Sequence, residues 1–329
     1  MRAFVTGGTG FIGGNLVRAL LRAGVAVRVL VRPGADTRVL SGLTVERAAG
    51  DVTDPASIRA ALSDCEWLFH VAALYAFWPR DAAPFERVNV EGTRAVLETA
   101  GACGVRRIVY TSSVAALAVP CGSDPVDETT PVDPSVLIGA YKRSKYRAEQ
   151  IALDLAERGL PVVIVNPTFP VGPYDVKPTP TGRMILDYLN RRMPAYLDTG
   201  MNVVDVEAVA EAHVRAAERG RVGERYILGG ENLTMRDILR ELSELTGLPL
   251  PRVRLPYAPV LALSYANAAL SRLTGSVPRM TPDTIRMSRH RMYYDAGKAV
   301  RELDLAPASS RQALAKAVAW FRGNGYVRR

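Results

Sequence analysis

Residues 6–13 read Thr-Gly-Gly-Thr-Gly-Phe-Ile-Gly, directly between an apolar run, Ala3–Val5, and an amphipathic stretch, Asn15–Arg22. Nothing else in the chain restricts its fold as tightly. Gly7, Gly10 and Gly13 permit, in turn, a tight turn, close approach of a bound group to the backbone, and tight packing of helix on strand. The helix that follows turns its free N–H groups and the positive end of its dipole toward that turn. A pyrophosphate suits such a place, so Gly7, Gly10, Phe11, Ile12 and Gly13 are the expected seat of a dinucleotide. Gly8, Gly10 and Gly13 match the other glycine spacing, which leaves open which glycine does which job.

The same alternation continues downstream. Val25–Val31, Thr44–Ala48, Trp67–Val71, Arg107–Thr111 and Val162–Val165 read as further buried strands. Ala56–Leu62, Glu86–Cys103 and Tyr141–Glu157 read as helices between them, the first opened by Asp54 as a cap and Pro55 at the first turn. Repeated strand–helix–strand units predict an α/β fold: a Rossmann-type doubly wound parallel sheet with helices on both faces. Past Pro167 the pattern loosens. Pro170, Pro173, Pro178 and Pro180 predict an irregular loop, followed by a helix at Arg183–Arg191. Val203–Val206 and Arg225–Leu228 read as strands, and Thr234–Leu245 and Ser309–Phe321 as helices, the last with Ser309 and Gln312 at capping-box spacing. We therefore expect residues 1–167, with later elements from about 202–228, to form the dinucleotide-binding domain. Residues 168–201 and 229–329 would form a smaller α/β substrate domain. Leu255–Leu273 is the most apolar region and reads as a core helix of that domain, with an interfacial helix touching a membrane as the alternative.

At 329 residues, with 48% hydrophobic and 23% charged residues, the chain has ordinary globular composition. No window holds the roughly 18 uninterrupted apolar residues of a membrane span. The N-terminus enters a strand at once, and Cys65, Cys103 and Cys121 are too few and scattered for a disulfide frame or a zinc site. A reduced, cytoplasmic protein with no metal is expected. The net charge of +9 comes from 37 arginines and 5 lysines spread among acids, without the basic block of a nucleic-acid tail.

The end of the second strand bears on the cofactor. An acid there would hold a ribose 2′-hydroxyl, but the chain has Arg32, Pro33 and Gly34, and no acid before Asp36. Arginine clamps a 2′-phosphate, which favours NADP(H) over NAD(H). Asp51 and Val52 follow the third strand where an adenine ring would lie, and Ala72 and Ala73 follow the fourth where the backbone can come close to the cofactor.

Tyr141 and Lys145 stand four residues apart in a predicted helix, about 40° apart on one face. An ammonium beside a phenol favours the phenolate, which suits proton exchange with a carbonyl–alcohol pair as hydride moves to or from nicotinamide. Tyr294 and Lys298 share the spacing, so position carries the argument. Tyr141 follows the fifth strand, which ends Tyr110-Thr111-Ser112-Ser113, and strand C-terminal ends are where open α/β sheets bind ligands. Ser113 is placed to donate to a substrate oxygen. Asn89 either braces the lysine or caps its own helix.

The glycine turn, Gly50-Asp51, His70-Val-Ala-Ala73, Asn89, Thr111-Ser-Ser113, Tyr141 with Lys145, and Asn166 through Pro173 together resemble an extended short-chain dehydrogenase/reductase over nearly the whole chain. Lys177–Gly182, Arg192–Tyr196 and Arg225–Asn232 carry a narrower similarity to hopanoid-associated sugar epimerases, themselves similar to dihydroflavonol 4-reductases. The resemblance implies that Ser113 positions substrate and Tyr141 is the acid/base. It also implies that Thr111, Pro167, Thr168 and Val171 lie at the cofactor, the backbone near Thr168–Val171 meeting the carboxamide, and that helices Glu86–Cys103 and Tyr141–Glu157 pair in a homodimer. Two departures stand out. Asp205-Val-Glu-Ala208 replaces a more acidic run, and Val114-Ala115 follow Ser113 where sugar-nucleotide dehydratases need an acid, which argues against dehydration.

Reductase and epimerase share their first half-reaction. A nucleotide-sugar epimerase would recruit basic groups such as Arg183, Arg191, Arg192 or Arg279 for the diphosphate. A ketone reductase would use Tyr75, Phe77, Trp78 and Tyr174 to wall an apolar substrate. A dinucleotide sensor without turnover is the third possibility, although such relatives typically lose the tyrosine or lysine retained here.

Overall fold

The computed structural model describes residues 1–75, 82–120, 122, 124–274 and 281–327. In chain order the strands are β1 (Arg2–Thr6), β2 (Ala26–Val31), β3 (Glu46–Ala49), β4 (Trp67–His70), β5 (Arg107–Thr111), β6 (Val162–Pro167) and β7 (Phe169–Val171). They continue with β8 (Ala195–Leu197), β9 (Gly200–Asp205), β10 (Arg225–Leu228), β11 (Glu231–Thr234), β12 (Val253–Leu255) and β13 (Arg291–Met292). The helices are α1 (Phe11–Arg22), α2 (Pro55–Leu62), α3 (Ala83–Phe85), α4 (Gly92–Ala102), α5 (Ala140–Glu157) and α6 (Pro180–Leu189). After them come α7 (Val206–Arg219), α8 (Met235–Thr246), α9 (Tyr257–Thr274), α10 (Pro282–Met287), α11 (Gly297–Leu303) and α12 (Ser310–Gly323).

Seven parallel strands form the main sheet in the order β10-β6-β5-β4-β1-β2-β3. Its strands are largely apolar because both faces are covered, except at the edge, where β3 (Glu-Arg-Ala-Ala) is mostly exposed and not the buried strand expected of Thr44–Ala48. Leu16, Val17, Leu20 and Val209 fill one side from α1 and α7. Ile58, Leu97, Ile151 and Leu155 fill the other from α2, α4 and α5. The chain runs outward from β1 through β2 and β3, then returns to β4 on the other side of β1. The switch point therefore opens between the C-terminal ends of β1 and β4, where such sheets bind ligands. A smaller layer joins β7, β9, β11 and β13, with β8 pairing β12 beside it. Its core is built from Val171, Ile185, Leu186, Ile238, Leu239, Leu314 and Phe321.

Three further expectations change. The proline-rich stretch after Pro167 is more regular than its composition suggests: β7 uses Phe169–Val171, and α6 begins at Pro180. Thr179 accepts from Gly182 N as the cap, and proline costs nothing at the first helical position. At α8 the full capping box of Thr234 and Asp237 forms, whereas at α12 Ser309 accepts from Gln312 N. Finally α9 is not a core helix. Val260, Ser264, Ala268 and Ser271 are buried along one stripe, while Leu263 and Leu270 are each 57% exposed.

Candidate active site

The glycine turn resolves the ambiguity in its spacing. Gly7 adopts φ +72°, and a Cβ there would lie 2.5 Å from Ala72 N. Gly13 packs the start of α1 onto the turn, since its Cβ would fall 2.1 Å from Gly7 O. Gly10 is the helix cap, has no side chain to satisfy the first N–H groups, and would bring a Cβ no nearer than 3.2 Å to Gly7 O. The N–H groups of Phe11, Ile12 and Gly13 thus lack intrahelical partners beside a bare cap, and this fits the pyrophosphate of a dinucleotide. Ala72 N donates to Thr6 Oγ1 at 3.3 Å, locking the end of β4 against the turn.

Beneath this junction His70 joins Thr6 Oγ1 (2.7 Å) to Thr93 Oγ1 (3.0 Å) and stacks on Tyr110. Complete burial, and then the charge of Lys145, hold its pKa down at about 3, so the ring is a neutral strut. Nothing local in the sequence singles out this role, because its partners lie 64 and 23 residues away.

Tyr141 and Lys145 share the inner face of α5, as their spacing requires. The Tyr141 ring lies 4.6 Å from Tyr75 and 6.3 Å from Phe85, centroid to centroid. Burial pushes the phenol up to about 12, against a hydrogen bond with the Ser113 side chain that lowers it. The expected lowering by Lys145 is absent here because the ammonium points elsewhere, donating to Thr111 O at 2.8 Å and to Tyr110 OH at 3.3 Å. Burial pulls Lys145 down to about 8, with Glu149 one turn further on acting in the other direction. Ser113 ends the β5 extension and accepts from Ala115 N.

Asn89 is a bridge between elements and not a local cap. Its Oδ1 accepts from Leu74 N at 2.6 Å, while Nδ2 donates to Leu74 O at 3.1 Å and to Ser144 Oγ at 3.0 Å. Ser144 in turn donates to Tyr141 O at 2.8 Å. The segment after β4 is therefore tied to the turn of α5 that carries both Tyr141 and Lys145. The bridge springs from a π-helical turn, Glu86–Glu91, a distortion frequent at functional sites.

The remaining candidates divide. Arg32 is exposed at the end of β2. Asp51 accepts from Thr53 N and Thr53 Oγ1; burial works to raise its carboxyl, but these bonds and the charges of Arg32 and Arg87 bring it below its usual range. Val52 is buried beside it and Ala73 is exposed past β4. Asp36, the first acid past β2, accepts from Arg38 N, Nε and Nη2, which holds its carboxyl near 2. The Thr111 hydroxyl is turned away to His213 Nε2 at 2.9 Å, so this residue offers the site its carbonyl. Thr168 is also turned inward, its N–H donating to Leu228 O and its hydroxyl to Asn202 Oδ1. Pro167 has no N–H to give, and Val171 is buried in the β7–β9 pair. Tyr174 is drawn away to α1: the Arg18 guanidinium sits 3.5 Å from its ring centroid, with Trp320 at 6.4 Å. Phe77, Trp78, Cys121 and Arg279 lie outside the described residues. Arg183 and Arg192 line a cleft of about 280 Å³ with Asp187 and Tyr326. Lys298 donates to Glu224 and to Arg225 O, so the second tyrosine–lysine pair is structural.

Comparison with known proteins places this geometry. The profile of the NAD dependent epimerase/dehydratase family matches residues 3–229. A Synechocystis protein named "Putative dihydroflavonol 4-reductase" is 47% identical over 99% of this chain and 96% of its own length. Sterol demethylase protein B of Methylococcus capsulatus is 40% identical over 99% of this chain and all of its own. The crystal structure of gox2253 superposes with a TM-score of 0.89 at 46% identity, covering 99% of both chains.

Proposed function

The chain belongs to the NAD dependent epimerase/dehydratase family, and from that membership we propose that it is an NADPH-dependent reductase converting a ketone on a largely apolar substrate to a secondary alcohol. The observation that carries this reading is the setting of Tyr141. Its ring is packed against those of Tyr75 and Phe85, and the phenol, protonated at neutral pH even at its ordinary 10, is pushed further up by burial. Phe85 is buried behind the site, whereas Tyr75, 43% exposed, offers an aromatic face that suits an apolar ring system, and a protonated phenol is the state a reduction requires of its proton donor. The names of the two relatives, one dihydroflavonol 4-reductase-like and one a sterol demethylase protein, support a ring-bearing substrate of this kind.

In this reading Tyr141 Oη gives its proton to the carbonyl oxygen, and Ser113 Oγ donates a hydrogen bond to the same atom. The residues of the glycine turn hold the dinucleotide, whose nicotinamide supplies the hydride when bound. Lys145, held on Thr111 O one turn along α5 from Tyr141, keeps a positive charge behind the site below its pKa of about 8. Asn89, through Ser144, keeps the two side chains in register. Val114 and Ala115 offer no acid for a dehydration. Exposed Arg32 supports NADPH, and so does the commitment of Asp36 to Arg38, which leaves that acid poorly suited to a ribose hydroxyl.

The test is steady-state oxidation of NADPH and NADH against apolar ring ketones and against nucleotide keto-sugars. We expect turnover with the ketones, a preference for NADPH, and a fall of roughly 10²–10⁴ in Tyr141→Phe. No net oxidation, together with dinucleotide retained through purification, would instead favour the internal hydride return of an epimerase. Full activity in Tyr141→Phe would remove the phenol from the mechanism.

A further inference from the structure

A helix as rich in apolar residues as α9 normally buries them, and α9 does not. Plotted at about 100° per residue, its buried stripe of Val260, Ser264, Ala268 and Ser271 occupies one side. The opposite arc spans about 160° and presents Ala262, Leu263, Tyr265, Ala266, Ala269 and Leu270, all exposed. Tyr265 carries the one side-chain hydrogen-bonding group among these six, and its hydroxyl already accepts from Arg286. Contiguous exposed apolar surface of this sort marks an interaction site.

The charge around it names the partner. Residues 252–291 contain seven arginines and a single acid, Asp283, a formal +6 out of the whole chain's +9. Arg286 and Arg289, exposed on and just after α10, stand over the rings of Tyr265 (5.6 Å) and Tyr257 (5.2 Å) and so rim the helix. Arg252 and Val253, the latter 58% exposed, lie immediately before it, while Arg254 is paired with Asp198 at 2.6 Å. A second copy of this chain is a poor match, because a self-complementary contact would set one arginine cluster against another. An apolar arc with a basic rim fits an anionic lipid surface, which accepts the side chains among its acyl chains and the arginines among its headgroups.

We propose that α9 is a peripheral docking helix, its apolar arc seated in the face of an anionic bilayer and its arginine rim on the phosphates. It does not span: among the described residues no helix is long and apolar enough to cross a membrane. The docked face is close to the chemistry, since α10 packs on α9 and Asp283 of α10 lies against Gly139, two residues before Tyr141. The proposal stands independently of the substrate assigned above.

Flotation of the full-length protein with vesicles tests it. One set is pure phosphatidylcholine and the other contains about a quarter phosphatidylglycerol. We expect binding to the second set, weakened by salt, and a fall of roughly tenfold or more in the double variant Leu263→Glu/Leu270→Glu. The triple variant Arg252→Gln/Arg286→Gln/Arg289→Gln should bind both sets weakly and alike. All five positions are exposed, so the melting temperature should hold. Absence of binding to either set, or equal binding by the double variant, overturns the proposal. So does concentration-dependent self-association of the wild type that the double variant abolishes, which would assign the arc to a second copy.

Discussion

Gly10 and Gly13 stand three residues apart in one turn, yet an added methyl group should fail at each for a different reason. In Gly13→Ala the new Cβ falls 2.1 Å from Gly7 O and 2.7 Å from Gly7 C, both backbone atoms. Relief requires the turn to move by about 1 Å, since ordinary contact begins near 3.4 Å. The turn has nowhere to go, because Gly7 is itself backed by Ala72 N, 2.5 Å from where its own Cβ would be. Overpacking of this kind costs about 3 kcal/mol, and at about 2 °C per kcal/mol for a chain of this size the ligand-free protein should melt about 6 °C lower. In Gly10→Ala the nearest atom is Gly7 O at 3.2 Å, and the cap has φ −92° and ψ 178°, which any residue adopts. Its ligand-free melting temperature should stay within about 2 °C of wild type. The methyl instead occupies the bare face over the free N–H groups, and affinity for NADP(H) should fall about tenfold or more.

Thermal shift with and without the nucleotide separates the two effects. At a hundred times its Kd, NADPH stabilises the wild type by about 2.7 kcal/mol, and at the same concentration a tenfold weaker Gly10→Ala gains about 1.4. A Gly10→Ala protein whose nucleotide-induced shift equals that of the wild type would refute the assignment of Gly10 to the pyrophosphate. A Gly13→Ala protein that melts like the wild type would refute the packing argument.

Three further outcomes are expected. Arg32→Glu should lower the ratio of kcat/KM with NADPH to that with NADH by about tenfold or more; an unchanged ratio would dismiss Arg32 as the 2′-phosphate contact. Lys142 is buried, its Nζ finds no hydrogen-bond partner among the described residues, and burial holds it at about 8 against an ordinary 10.5. A depressed ammonium means that stability falls as pH drops from about 10.5 through 8, by about 3 kcal/mol. Lys142→Met should therefore raise the urea midpoint at pH 7, flatten that dependence and leave the fold intact; a lower midpoint at pH 7 would contradict this. Asp175, buried against Thr179, is raised from 3.8 to about 6, mainly by burial. Its contribution is present below 3.8 and lost as pH rises through 6, so Asp175→Asn should abolish a loss of about 3 kcal/mol between pH 4 and 7. Parallel stability profiles for the two proteins across that range would count against it.

Much of the frame was legible because its signals are local. The strand–turn–helix at residues 2–22 shows in consecutive residues, as does the face shared by Tyr141 and Lys145. What escaped notice were contacts whose partners lie far apart in the chain. His70 depends on Thr6 and Thr93, Asn89 on Leu74 and Ser144, and both are set by strand order and helix placement. Phe85 at the Tyr141 ring carries no signature beyond being aromatic. The hydroxyls of Thr111 and Thr168 are undecided for the converse reason: a threonine at a strand end has two directions to turn, and here His213 and Asn202 draw both side chains inward. Tyr174 shared that fate with Arg18. For α9, apolarity in the sequence is compatible with a core helix or an interfacial one, and only packing shows that one face stays exposed.

The amino-acid order by itself determined the periodicity of strands and helices, the glycine turn and the spacing of the tyrosine–lysine pair. Each depends on steric and hydrogen-bonding rules that act within a few residues. Only the tertiary structure decided where Lys145 aims, which glycine is bare, and which face of α9 meets solvent. Those outcomes follow from which distant surfaces compete to cover a group, and that competition is settled only when the whole core packs.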